Sequence, residues 1–277
     1  MSPEVEETGA RELGGDRGTV LVTGGSRGIG LELARRFADD GHPLVLAARD
    51  EGALEAARRE LEEEGSPRVR CLSVDLSDPA APGWLHRELE DGSPPVDVVV
   101  NNAGFSTHGP FHRSDARAQT EMARVMVTAL TELSRRFVEG MVERDRGGIL
   151  NVASTAAFQP GPKQAVYFAS KSYVLSFTQA VAHELADTSL RISVLCPGPT
   201  ATDFHERADM DDVRMAGEGA VPRMTAGRVA EAGYRGWREG RRVVIPGALN
   251  RVGAVAAGLA PASVSMSLVD WLQREPY

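Results

Sequence analysis

Residues 19–30 read TVLVTGGSRGIG: a short β-branched apolar run, a cluster of glycines, and the start of a helical pattern. The apolar run reads as a buried strand, and the periodicity from Ile29 to Asp40 reads as a helix. Between them the glycines fall at Gly24, Gly28 and Gly30, a spacing of G-x-x-x-G-x-G with Gly25 as an extra. Gly24 lets the chain turn sharply, while Gly28 and Gly30 remove side chains so that a pyrophosphate can approach the helix N-terminus. A plain glycine-rich turn has the same composition. Its place after the first strand of a βαβ unit favours a nucleotide.

The alternation continues outward from this stretch. PLVLAAR is a second strand, and Glu51 to Glu64 a charged amphipathic helix with Asp50 placed as its N-cap. RVRCLSVDL and VDVVVNNAG are strand-like, Ser114 to Val142 is helical, and GGILNVAS is again a strand. Val166 to Leu185 repeats apolar groups at helical intervals, RISVLCPG is a sixth strand, and RRVVIPG a seventh. Such alternation predicts an α/β fold: a single Rossmann-type domain with a doubly wound parallel sheet of roughly seven strands and helices on both faces. The expected organisation is a disordered leader over 1–17, the domain over 18–250 with a lid segment at 204–225, and a C-terminal extension over 251–277. That extension contains VGAVAAGLAPASVSMSLV, free of charge but rich in Gly, Ala and Ser and interrupted by Pro261. It is expected to pack on the domain or a partner subunit, not to span a membrane.

Cofactor choice follows from the end of the second strand. A carboxylate there would bind a free ribose 2′-hydroxyl; here the position is Ala48, followed by Arg49, with Arg27 in the glycine loop. Two guanidiniums suit a 2′-phosphate, which arginine holds with forked hydrogen bonds, and NADP(H) is the expected cofactor. Asp50 is the counter-evidence, and its capping role is the preferred account of it.

VVVNNAG, NVAS, YFASK and CPGPTAT, taken in order with TGGSRGIG, complete a set. With these motifs the chain resembles the short-chain dehydrogenase/reductase family over residues 18–250, Ser154 preceding Tyr167 by 13 residues. The resemblance implies hydride exchange between a nicotinamide and a carbonyl or alcohol. It implies that Tyr167 donates its phenolic proton, that Lys171 lowers the phenol's pKa and holds the nicotinamide ribose, and that Ser154 orients the substrate oxygen. Asp75 and Leu76 would border the adenine, and Asn102, Ala103 and Gly104 would line the cofactor. Ser26 and Ile29 in the glycine loop, with Pro197, Gly198, Thr200 and Thr202, complete the implied cofactor set. Asp75 could instead cap a turn, and Asn102 could merely satisfy backbone groups at a strand end.

The chain departs from the family at Met126, where an asparagine usually holds a water behind the lysine. Methionine has no donor and only a weak acceptor. This keeps a second class in view, a non-redox regulator or isomerase on the same scaffold.

Composition narrows the rest. The net charge of −8 excludes nucleic acid as an expected partner, and Cys71 and Cys196 in strand-like surroundings suit a reducing compartment. No signal peptide is legible, so a cytoplasmic protein is expected, with a homodimer or homotetramer implied by the family. His108 and His112 are separated by Gly109 and Pro110, so no metal is expected, and VASTA lacks the glycines of a nucleophile elbow. Phe105, Phe111, Phe204, Met210 and Met215 flank the expected pocket and point to a lipophilic carbonyl substrate.

Overall fold

Strand β1 (Thr19–Thr23) turns Val20 and Val22 to one face of a sheet and Leu21 to the other, and all three are fully buried. Side chains that alternate faces and are enclosed on both require helices on both sides. The protein is described by a computed structural model covering residues 17–66, 68–90, 94–202 and 223–273. In chain order the elements after β1 are α1 (Gly28–Asp39), β2 (Leu44–Ala48), α2 (Glu51–Glu63), β3 (Val69–Ser73), α3 (Ala81–Glu90) and β4 (Val96–Asn101). Then come α4 (Ala116–Ala123), α5 (Leu130–Glu143), β5 (Gly148–Val152), α6 (Ala165–Glu184), β6 (Arg191–Leu195), β7 (Thr200–Ala201) and β8 (Met224–Thr225). The last described elements are α7 (Ala226–Arg238), β9 (Val243–Val244), α8 (Ala248–Leu259) and α9 (Ala262–Leu272).

The main sheet has seven strands, all parallel, in the order β3-β2-β1-β4-β5-β6-β9. Helices α1, α2 and α7 cover one face through residues such as Phe37, Leu61 and Trp237. Helices α3, α5 and α6 cover the other, with Leu85, Leu133 and Ala182. Strand order reverses between β1 and β4, which opens a crevice at their C-terminal ends, the place where ligands bind in open α/β sheets.

Several expectations are refined. The seventh strand is only Val243–Val244, because β9 pairs at just two positions with β6 at the sheet edge. The helical segment from Ser114 to Val142 is not continuous: between α4 and α5, Arg124–Ala129 forms a π-helical stretch with one extra residue in the turn. Helix α8 begins at Ala248, so the boundary drawn at 250 falls inside an element. Of the expected lid, only 223–225 are described, and there β8 pairs in parallel with β7. The leader over 1–16 lies outside the described residues, while Arg17 pairs with Asp40 at 3.7 Å. Among the described residues no helix is long and apolar enough to cross a membrane.

Candidate active site

The glycine loop between β1 and α1 has the backbone its composition suggested. Gly24 and Gly28 sit at φ +63° and +56°, a region that glycine enters without strain. A Cβ on Gly30 would stand 2.2 Å from the Gly24 carbonyl oxygen, so that position also admits only glycine. The loop is stapled to the end of β4. Asn102 Nδ2 donates to the carbonyls of Thr23 and Gly24, each at 3.1 Å, and Thr23 Oγ1 accepts from the Asn102 and Ala103 amides. Asn102 therefore satisfies backbone groups and in doing so holds the loop's shape. No side chain caps α1 at Arg27, which leaves its first-turn amides for an anion. Ser26 is half-buried in the loop, and Ile29 packs on the core under α1.

The two expected arginines are engaged elsewhere. Arg27 Nη2 donates to Asp50 Oδ2 at 2.8 Å, and the Arg49 guanidinium lies 5.9 Å from the Phe105 ring centroid. Asp50 Oδ1 caps α2 through the Ala53 amide at 3.0 Å, so the carboxylate has both the predicted capping role and an unpredicted ion pair. Asp75 Oδ1 accepts from the Ser77 amide at 2.9 Å, and Leu76 is buried in the layer under α3. Thr202 reaches the glycine loop, its Cγ2 lying 3.4 Å from where a Gly28 Cβ would stand. Thr200 is buried and donates to the Gly198 carbonyl at 2.9 Å. The Pro197 carbonyl accepts from the Thr155 amide at 2.8 Å, beside Ser154.

Ser154 leaves the end of β5 and opens a short 3₁₀ turn over Thr155–Phe158, its Oγ accepting from the Ala156 amide at 3.1 Å. Tyr167 and Lys171 share one face of α6, with Lys171 Nζ 5.7 Å from the Tyr167 ring centroid. Ser154 and the Tyr167 phenol are hydrogen-bonded to each other. Tertiary folding thus brings together three side chains from two elements. Lys171 is buried and donates to the Val152 carbonyl at 2.9 Å. Burial brings its ammonium down to about 8, against the opposing influence of the Cys196 thiol.

Burial dominates the surroundings of Tyr167. Burial pushes its phenol up to about 12, and the hydrogen bond from Ser154 offsets this only in part. The Lys171 ammonium is directed at a backbone carbonyl, and desolvation is the larger influence on the phenol.

Met126 lies in the π-helical stretch and is buried. The point where a Gly104 Cβ would stand is 3.1 Å from Met126 Sδ and 3.7 Å from Lys171 Nζ. Met126 and Lys171 thus both border the space beside Gly104, which a side chain at that position would enter.

A buried network next to the start of α6 is not legible in the sequence. Gln164, three residues before Tyr167, donates from Nε2 to Ser106 Oγ at 2.7 Å and accepts at Oε1 from Gln273 Nε2 at 2.8 Å. Lys163 Nζ donates to the Gln273 carbonyl at 3.0 Å. At the other side Asn250 crowds Gly198, where a Cβ would stand 2.3 Å from Asn250 Oδ1. These residues carry no local motif, and their partners are remote in the chain. Phe111 is exposed, whereas Phe204, Met210 and Met215 lie outside the described residues.

Comparison with known proteins agrees with this arrangement. The family model described as short chain dehydrogenase matches residues 18–212. The ketoacyl reductase HetN of a Nostoc species is 32% identical over 180 residues, which are 65% of this chain and 62% of that protein. The match therefore spans about three fifths of that relative's own length. An acetoacetyl-CoA reductase of Paracoccus denitrificans is 32% identical over 211 residues, 76% of this chain and 84% of the relative. The structure of a short-chain dehydrogenase from Sphingobium yanoikuyae in complex with NADPH superposes with a TM-score of 0.76 at 30% identity, covering 86% of this chain and 92% of that one. The chain belongs to the short-chain dehydrogenase/reductase family of oxidoreductases.

Proposed function

We propose that the protein reduces a lipophilic ketone or aldehyde with NADPH, with Ser154, Tyr167 and Lys171 as its catalytic residues. The observation that carries this reading is the hydrogen bond between Ser154 and the Tyr167 phenol, with a buried Lys171 on the same helix face. The glycine cradle fits a dinucleotide: Gly24, Gly28 and Gly30 leave the backbone open beside the uncapped start of α1, and Thr202 reaches over it. Arg27 and Arg49 would hold the 2′-phosphate, Arg27 by exchanging its Asp50 partner. When bound, the nicotinamide supplies the hydride.

The protein's own groups handle the oxygen and its proton. Ser154 Oγ and the Tyr167 phenol converge, so one carbonyl oxygen accepts from both. Ser154 orients it, and Tyr167 gives up its proton as negative charge develops there. A phenol near 12 is held protonated at neutral pH, the form a donor needs, but it is a weak acid. Lys171 compensates during transfer, when its positive charge stabilises the phenolate being formed. The names of the relatives, reductases of ketoacyl and acetoacetyl-CoA groups, and the NADPH in the solved neighbour support the reductive direction and the cofactor.

Met126 favours a second reading, a non-redox protein that keeps its cofactor, because no polar group of that side chain can resupply a proton behind Lys171. Following NADPH absorbance over a panel of ketones separates the two. Oxidation on at least one ketone is expected; NADPH binding with no oxidation on any would favour the second reading.

A further inference from the structure

One glycine of the candidate site is required by a neighbouring side chain and not by its own backbone. Gly24 and Gly28 sit at positive φ, whereas Gly198 lies outside that region and alanine would be free of backbone strain there. What excludes a side chain is Asn250 on α8. A Gly198 Cβ would stand 2.3 Å from Asn250 Oδ1 and 2.5 Å from both its Cγ and its Nδ2, so the carboxamide lies flat against this glycine.

Asn250 is held in that place. Its Nδ2 donates to the Pro246 carbonyl at 2.8 Å and lies 3.9 Å from Met224 Sδ. Gly247, at φ +85°, opens α8, and a Cβ on it would stand 3.3 Å from the same nitrogen. Helix α8 also packs on the 3₁₀ turn that begins after Ser154.

We infer that Asn250 is a positioning residue for the cofactor, holding the Pro197–Thr202 segment from a helix outside every motif named above. The inference rests on the reading that this segment borders NADP(H). The segment joins the two halves of the site. At one end the Pro197 carbonyl accepts from the Thr155 amide at 2.8 Å and lies 3.5 Å from Ser154 Oγ. At the other, Thr202 reaches the glycine loop beside Gly28. In between, Pro197 and Pro199 have no amide proton, and Gly198 has no side chain with which to anchor itself. The Gly198 carbonyl accepts from Thr200 Oγ1 at 2.9 Å and the Pro199 carbonyl from the Met224 amide at 3.1 Å. These bonds secure the carbonyls, and the Asn250 carboxamide restrains the glycine, the most mobile residue of the run.

The test reads binding and stability, not turnover. By fluorescence titration, Asn250→Ala should raise the dissociation constants of NADPH and NADH alike by roughly tenfold, within the coupling range of residues in contact. An equal effect on both dinucleotides separates it from Arg49→Ala, which acts on NADPH. Gly198→Ala should do at least as much, because its methyl meets the carboxamide. The double variant puts that methyl where the carboxamide stood, so its affinity should recover to within about threefold of the parent, a strongly non-additive result. If Gly198→Ala alone fails to fold, recovery of the fold in the double variant is the same rescue. Asn250→Ala with a lower melting temperature but parental affinity for both dinucleotides would mark a purely structural contact and overturn the inference. So would a double variant no better than Gly198→Ala, since something other than Asn250 would then exclude the side chain. Both failures leave NADPH binding by the unmodified protein intact. An unmodified protein that binds neither dinucleotide would overturn the cofactor reading, and this inference with it.

Discussion

Gln273 Nε2 donates to Gln164 Oε1 at 2.8 Å, tying the end of α9 to the residue three positions ahead of Tyr167. Both carboxamides are buried, and Lys163 Nζ adds a second tie to the Gln273 carbonyl. The C-terminal helix therefore braces the start of the helix that carries the tyrosine and lysine. Gln273→Ala would remove a hydrogen bond between two buried carboxamides, a loss of about 0.5–1.5 kcal/mol. The expected result is a lower melting temperature and a roughly tenfold lower kcat/KM for the ketone, about the rate factor for 1.4 kcal/mol. NADPH affinity should stay unchanged. A variant that kept wild-type kcat/KM would show that the brace does not position Tyr167.

The ion pair of Arg27 with Asp50 bears on cofactor choice. Asn caps helices about as well as Asp, so Asp50→Asn should preserve α2 while releasing the guanidinium. NADPH should bind more tightly to Asp50→Asn, and NADH no better. Arg49→Ala should weaken NADPH by tenfold or more, since a hydrogen bond to a charged group contributes about 1.5–3 kcal/mol. Fluorescence titration with both cofactors checks this; equal affinity for NADPH and NADH in the unmodified protein would contradict the assignment.

Tyr167→Phe removes one hydroxyl and little volume. Folding and NADPH binding should survive, while hydride transfer in a single turnover should fall by the ~10²–10⁴ typical of a positioned acid. Near-normal transfer would move the proton donor to Ser154 or a water.

Burial of Lys171 predicts a pH limit on the proposed reduction. Its ammonium is brought down to about 8 by burial, so the charge is present below that pH and lost above it. The kcat/KM for reduction should be level on the acid side of 8 and fall toward about tenfold per pH unit on the alkaline side, as expected for one essential protonated group. The phenol, at about 12, cannot cause a break so low. A profile level to pH 10 would exclude Lys171 as the charge that assists transfer.

Met126 is the place to restore a polar group. Met126→Asn puts a carboxamide next to Gly104 and Lys171, where the thioether now packs. Steady-state turnover should equal or exceed that of the parent, with NADPH affinity unchanged, whereas stability should fall because a buried amide needs partners. Slower turnover at equal stability would mean that the site does not use a proton path through this position.

The seven parallel strands, the glycine turn and the Tyr167–Lys171 pair were legible because each rests on a short-range rule: apolar period, positive backbone angles, or i, i+4 adjacency. Helix α3 went unread, since Pro82 and Gly83 disturb its first turn although proline is tolerated there. The π-helical stretch around Met126 also left no local mark. What joins remote positions depended on the packed chain: Ser154 with Tyr167, Arg27 with Asp50, Met126 with Gly104 and Lys171, and Gln273 with Gln164. The phenol illustrates the same division. The residue order places Lys171 one turn from Tyr167, but burial and a backbone carbonyl, both products of tertiary packing, set the surroundings in which the phenol and the ammonium titrate. Desolvation is set by everything that surrounds a group, and only the folded chain supplies those surroundings.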